Sequence, residues 1–308
     1  MKNPQYICFM SALLERLLVG DVRALARCIS LVENETPGYE LLLEALPPRA
    51  DTRVVGITGP PGAGKSTLVN ALISSLLQRQ QRVAVIAVDP SSPFNFGALL
   101  GDRIRMSGHF SDPNVFIRSM ASRGALGGLS PKILEVADII KAAGYDYLFI
   151  ETVGVGQSEV EIAGVADTTV VVVVPEAGDE IQTMKAGLME IASVFAVNKA
   201  DRPKADEFAR NLRLLAHSRR SETWETPVIK TVAFRGEGID ELVQAIDDHR
   251  EHIHENNDRK ALLMAEKAWQ LIQYRRMQQI DRAGLISEIR THMDAPGFNL
   301  YRIVHRYS

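Results

Sequence analysis

The stretch "GITGPPGAGKSTL" at 56–68 decides the fold. It fits GxxxxGK[ST], with Gly59, Gly64, Lys65 and Ser66 in the required places. The apolar run "VVGIT" (54–58) before it reads as a strand, and a helical pattern over 66–80 follows, which is the context this motif requires. Glycines let backbone N–H groups curl around phosphate oxygens, and the helix N-terminus adds its positive end. Lys65 is expected to reach the β- and γ-phosphates, and the Ser66 hydroxyl to ligate Mg²⁺.

Working outward, short β-branched runs alternate with helical stretches from 53 to about 235. The strand candidates are "VVGIT", "VAVIAV" (83–88), "YLFI" (147–150), "TVVVVV" (169–174), "FAVNK" (195–199) and "PVIKTVAF" (227–234). Helical stretches at 66–80, 131–143, 180–192, 204–217 and 236–254 lie between and after them. The alternation predicts an α/β fold, a P-loop NTPase with a mostly parallel sheet covered by helices on both faces. Upstream, Leu13, Leu14, Leu17 and Leu18 recur at helical spacing, and Gly20-Asp21 offers a stop and an N-cap. The expected organisation is a helical segment over 1–50, a nucleotide-binding domain over 51–256, and a helical segment over 257–308. In that last part Leu262, Ala265, Trp269 and Ile272 form one stripe, suited to packing on the domain or on a second copy.

Two further strand ends carry polar chemistry. "ETVGVGQSE" (151–159) follows "YLFI", so Glu151 is read as a metal-binding acid and the Gly154 backbone N–H as the γ-phosphate sensor. The longer acid still permits a Mg²⁺ contact through a coordinated water. Val155 stands where Ras-like enzymes place a water-positioning glutamine, and Gln157 comes two residues late, so slow unaided turnover is expected. At "VDPSSPFNFGALLGDRIRM" (88–106), Asp89 and Asp102 either serve the Mg²⁺ shell or cap a turn and a helix. Arg103, Arg105, Arg118 and Arg123 are unranked candidates for a charge at the γ-phosphate.

Base identity is read from "NKAD" at 198–201. Asp201 is placed to accept from the two adjacent guanine N–H groups, where adenine presents a mismatched edge, and such a site rejects the wrong base by roughly 10⁴-fold. Asn198 and Lys199 are expected to brace the surrounding loops.

Taken together, "VDPSSP", "LGDRIRM", "RSMASRGALGGLS", "ETVGVGQSEVEIA", "PEAGDEIQTMKAGLMEIA" and "VNKAD" resemble the MeaB/ArgK/MMAA family of P-loop GTPases, densely over about 54–240. The resemblance implies a GTPase chaperone for an adenosylcobalamin-dependent acyl-CoA mutase, with methylmalonyl-CoA mutase the expected client. Hydrolysis would time cofactor loading and mutase protection or reactivation. It implies GTP or GDP with Mg²⁺, no tightly bound cobalamin, and a homodimer assembled through the C-terminal helices. Carried over by position, the phosphate loop is Gly59, Pro60, Pro61, Gly62, Ala63, Gly64, Lys65, Ser66 and Thr67. The metal set is Ser66, Asp89, Asp102 and Glu151, and Lys65, Glu151 and Gly154 carry catalysis. Asn198, Lys199 and Asp201 bind the base with the loop Val232, Ala233 and Phe234. A partner-sensing loop at 175–187 would include Asp179, Glu180 and Lys185. There are departures: Val232 replaces the family's serine, and Glu176 stands where glycine is common.

Composition narrows the rest. A net charge of −3 gives no reason to expect nucleic acid or an anionic membrane as partner. The two cysteines, Cys8 and Cys28, suggest no disulfide framework, and a reducing cytoplasm is the expected compartment. "ICFMSALLERLLVG" (7–20) is broken by Glu15 and Arg16 and reads as an amphipathic helix rather than a targeting segment. A nickel-delivering GTPase would need thiolate or imidazole ligands, yet 51–256 holds no cysteine. The cluster His249, His252 and His254 reads as a solvated helix end. An ATPase or kinase linked to basic amino-acid transport is opposed by "NKAD" and by the lack of an apolar run long enough to span a bilayer.

Overall fold

A computed structural model describes residues 4–48, 51–89, 106–121, 129–130, 132–152, 161–175, 186–218, 224–255, 257–295 and 297–307. The N-terminal layer is α1 (Pro4–Leu18), α2 (Val22–Glu33) and α3 (Tyr39–Glu44). Gly20, at φ +82°, ends the first helix. Asp21 then caps α2, its Oδ1 accepting from the backbone N–H groups of Arg23 (2.8 Å) and Ala24 (3.1 Å). Cys28 lies fully buried in α2, and that burial pushes its thiol up to about 11.

Among the described residues the nucleotide-binding part has seven strands: β1 (Arg53–Thr58), β2 (Val83–Asp89), β3 (Val115–Ala121), β4 (Tyr147–Glu151), β5 (Thr168–Val173), β6 (Val194–Val197) and β7 (Val228–Lys230). They pair in the order β3-β2-β4-β1-β5-β6-β7, and every pairing is parallel. Among them run α4 (Lys65–Gln78), α5 (Ile133–Ala142), α6 (Ala186–Ile191) and α7 (Ala205–Ser218), with α8 (Ile239–Glu255) after the last strand. Strand alternation sends Val170 and Val172 to one face, into a core with Leu68 and Leu72 of α4 and Leu242 and Val243 of α8. Val171 and Val173 point the other way, against Phe208 and Leu212 of α7. Each face is thus buried under helix, as a parallel sheet requires.

β3 is absent from the strands expected of the sequence. It is an edge strand with a half-polar surface. On it Arg118 forms an ion pair with Glu33 of α2 and donates to Ser30 Oγ at 3.3 Å, joining the N-terminal layer to the sheet. A second tie is Lys132, buried just before α5. Its Nζ meets Glu35 at 2.9 Å and Glu135 at 3.3 Å, and lies 4.7 Å from the Tyr39 ring centroid. Burial works against its charge, but Glu35, Tyr39 and Glu135 outweigh that and hold it above the ordinary lysine range.

The helix end carrying the histidine cluster is not simply solvated. His249 is completely buried, with Nδ1 at 2.9 Å from Thr168 Oγ1. Trp224 covers it edge-on with 4.9 Å between ring centroids, and donates its indole N–H to the Ser193 carbonyl at 2.9 Å. Its role is to close the core beneath the starts of β5 and β6. Among the described residues no helix is long and apolar enough to cross a membrane.

The chain divides into two compact units, 1–260 and 261–308. The second is helical to its end, with α9 (Asn257–Gln278) running into it and α10 (Arg282–His292) and α11 (Leu300–Tyr307) following. Asp281 caps α10 by accepting from the Ala283 N–H at 3.0 Å, and Tyr307 donates to Glu288 at 2.9 Å, tying α11 to α10. The predicted stripe on α9 lies open: Leu262 is 62% exposed and Trp269 58%.

Candidate functional site: a phosphate loop joined to two strand-end loops

The phosphate loop starts where β1 ends and closes where α4 begins. Gly59 has φ +139°, and a Cβ there would lie 2.1 Å from the Val172 carbonyl oxygen, so the loop can start beside β5 only on glycine. Gly64, at φ +87°, leads directly into α4, which turns the helix N-terminus toward the loop. Lys65 is buried, and its Nζ donates to the carbonyls of Gly59 (2.8 Å) and Pro60 (3.1 Å). The ammonium therefore spans the opening of the loop. Thr67 on the next position of the helix is exposed.

Ser66 and Glu151 meet across the sheet edge. Ser66 Oγ donates to Glu151 Oε1 at 2.6 Å, and both residues are buried. Glu151 ends β4 in register with Ile57 of β1 and Ala87 of β2, so Asp89 leaves β2 two residues further along the same edge. A hydroxyl beside a carboxylate is a hard oxygen pair, and its chemistry fits Mg²⁺, which favours oxygen donors from a few side chains beside phosphate oxygens. Asp102, Gly154, Val155, Gln157, Glu176, Asp179, Glu180 and Lys185 lie outside the described residues. Of the four candidate arginines only Arg118 is described, and it is engaged with Glu33.

The NKAD segment and the loop after β7 are tied to the phosphate loop by one buried side chain. Asn198 Nδ2 donates to the Ala63 carbonyl at 2.9 Å, while its Oδ1 accepts from the Thr231 hydroxyl (3.3 Å) and the Ala233 N–H (3.2 Å). The approach is close, because a Cβ on Gly64 would come within 2.5 Å of Asn198 Nδ2. Lys199 takes φ +56° and sends its Nζ to the Gly62 carbonyl at 2.7 Å. Both side chains reach from the NKAD segment to carbonyls of the phosphate loop. Asp201 follows at an exposed position.

The Val232 departure has a local reason. Val232 is buried and bridges to Glu237, its N–H donating to that carbonyl at 3.0 Å. Support of the following residue passes to Asn198, which takes the Ala233 N–H itself. Phe234 is 66% exposed next in line, with the Arg235 guanidinium 5.0 Å from its ring centroid. Sequence reasoning did not find Thr231 as a partner of Asn198. A hydroxyl after the β7 apolar pair was the only cue.

Comparison with known proteins agrees with this geometry. A family model described as methylmalonyl Co-A mutase-associated GTPase MeaB matches residues 25–284. A putative GTPase of Pyrococcus horikoshii is 51% identical over 249 residues, covering 79% of this chain and 78% of its own. The methylmalonic aciduria type A homolog of Mus musculus, described as mitochondrial, is 37% identical over 256 residues, covering 76% of this chain and 61% of its own. A crystal structure of a LAO/AO transport system kinase matches with a TM-score of 0.70 at 26% identity, covering 99% of both chains. A phosphate loop, an acid bonded to its serine and an NKAD segment joined to it by Asn198 are thus carried by a chain that belongs to the MeaB family of P-loop GTPases, and is itself a GTPase.

Proposed function

We propose that this GTPase serves as a chaperone for an adenosylcobalamin-dependent acyl-CoA mutase, with methylmalonyl-CoA mutase the first candidate. GTP binding and hydrolysis would gate cofactor loading and the protection or reactivation of the mutase. The observation that carries this reading is the MeaB-family match over 25–284, supported by a relative named for methylmalonic aciduria. The working parts are an N-terminal segment (1–50), the nucleotide-binding domain (51–256) and a C-terminal dimerisation segment (257–308). The exposed stripe on α9 supports a homodimer through that last segment. A cytoplasmic setting completes the proposal.

The chemistry follows from placement. Water attacks the γ-phosphate in line with the leaving oxygen, and the protein contributes position and charge rather than a covalent step. Lys65 would neutralise the β- and γ-oxygens, Ser66 and Glu151 would hold Mg²⁺ with Asp89 and Asp102, and the Gly154 N–H would read the γ-phosphate. Mg²⁺ supplies neutralisation of the charge that develops on the phosphate oxygens. Asp201 selects guanine, and Ala233 and Phe234 flank the base. No water-positioning glutamine follows Gly154, so turnover is slow alone and rises when the mutase binds. The likeness to a LAO/AO transport system kinase favours a second reading, phosphoryl transfer coupled to transport.

One experiment separates them. Candidate mutases are tested for co-purification with the protein loaded with GDP or a non-hydrolysable GTP analogue, and hydrolysis is measured with and without the bound mutase. Nucleotide-dependent capture with faster GTP hydrolysis supports the chaperone reading. ATP preference over GTP, or no capture of any acyl-CoA mutase, overturns it.

A further inference from the structure

The residue after Glu151 is also buried and bonded, to the end of β1 that leads into the phosphate loop. Thr152 is 1% exposed and Thr58 is completely buried. Ile57 pairs with Glu151, so these threonines come next in register, side by side where β1 and β4 both end. Thr152 Oγ1 donates to Thr58 Oγ1 at 3.1 Å, with the Ile57 carbonyl a longer second acceptor at 3.5 Å, and the Thr152 backbone N–H donates to the Ile57 carbonyl at 3.0 Å. Thr58 immediately precedes Gly59, and Thr152 immediately precedes the segment 153–160 that includes Gly154.

The far end of that segment returns to the same strand. Ile162 opens a short 3-10 turn (Ile162–Gly164) and is completely buried. It rests on Gly56, where a Cβ would meet Ile162 Cγ1 at 2.5 Å and Ala166 Cβ at 3.1 Å. Gly56 and Thr58 are two residues apart on β1 and so project to one face. Thr152 and Ile162 are thus both fixed on β1, within three residues of the phosphate loop's first glycine. Ser66 holds Glu151 from the other face, where Ile57 joins the α4 core.

We infer that the Thr152–Thr58 hydroxyl pair is a positioning device for GTP hydrolysis, setting the distance between the start of the phosphate loop and the end of β4, where Glu151 meets Ser66. The two hydroxyls bond to each other, and the pair acts through the strand ends that carry it. Misplacement of a reacting group by about 1 Å can cost on the order of a hundredfold in rate. Cross-strand threonine pairs are otherwise weak contributors to stability. Loss of the pair should therefore appear in turnover far more than in folding.

The test uses the full chain and follows kcat and KM for GTP, the affinity for GDP and for a non-hydrolysable GTP analogue, and the unfolding temperature. Thr152→Val keeps shape and removes the hydroxyl. It is expected to lower kcat about tenfold with GDP affinity within threefold, and to shrink the preference for the GTP analogue over GDP. Thr152→Ser restores both, and Thr58→Val reproduces the loss. The double variant is no slower than either single one, as expected for two halves of one device. A Thr152→Val enzyme within twofold of wild-type kcat overturns the inference, as do additive losses in the double variant. A fall in unfolding temperature with kcat unchanged also overturns it. If Thr152→Val does not fold, Thr58→Val and Thr152→Ser decide by the same criteria. The inference rests on GTP hydrolysis alone, so its outcome does not depend on which mutase, if any, is served.

Discussion

Replacing Asn198 with alanine should damage the fold and nucleotide binding together, whereas replacing its neighbour Asp201 should damage binding alone. Asn198 makes three hydrogen bonds from a buried position, to Ala63, Thr231 and Ala233. At about 1 kcal/mol net for each, their loss amounts to about 3 kcal/mol. For a domain of this size that lowers the unfolding temperature by about 6–12 °C. The loops carrying Ala63 and Ala233 also lose their common tether, so GDP affinity should fall by on the order of a hundredfold. Asp201 is exposed, and Asp201→Ala should leave the unfolding temperature within about 2 °C of wild type. Two guanine N–H groups would then lose their acceptor, which again costs on the order of a hundredfold in GDP affinity. Calorimetric unfolding and titration with GDP read both quantities on the same samples. An Asn198→Ala protein that unfolds at the wild-type temperature would refute the tether. So would an Asp201→Ala protein destabilised to the same degree.

Two further outcomes follow from buried groups outside the site. Lys132→Ala leaves Glu135 buried without its cation and should cost about 3 kcal/mol in denaturant unfolding, while Glu35→Ala, at the half-open side of the cluster, should cost under about 1 kcal/mol. Equal losses would contradict the buried cluster. Cys28 should resist iodoacetamide at pH 8 in the folded protein and react fully once unfolded, as read by peptide-resolved mass spectrometry. Its thiol is raised from 9.0 to about 11, so the folded state favours the proton. That contribution to stability is complete below pH 9 and is lost as pH rises toward 11. Rapid labelling of folded protein at pH 8 would contradict the burial.

The parts of the fold legible in the sequence were those whose signal is local. Strands β1, β2, β4 and β5 are buried on both faces and read as unbroken apolar runs. The phosphate loop and NKAD are legible from residues a few positions apart, although Asn198 and Lys199 reach carbonyls more than 130 residues away. β3 was missed because an edge strand tied to a helix by Arg118 has no such run: after Val115, Phe116 and Ile117 it turns to Arg118 and Ser119. His249 was misread for a related reason. A histidine in "DDHREHIHE" looks solvated, and only Trp224 and Thr168, distant in sequence, enclose it. The Thr152–Thr58 pair was equally hidden, since its meaning depends on the β1–β4 register.

The two margins of the sheet are protected against adding strands from other molecules by different means. β7 is only three residues long and ends in Lys230, whose ammonium is held by Asp206 at 2.6 Å. A strand so short offers little backbone to a stranger. β3 is seven residues long, and the charge that interrupts it, Arg118, depends on Glu33 in the N-terminal layer for its partner. A chain trimmed to the nucleotide-binding part would strip that margin of its attachment to α2. The first fifty residues therefore bear on the solubility of the enzyme as well as its shape, and a shortened version should be judged first by whether it stays monodisperse.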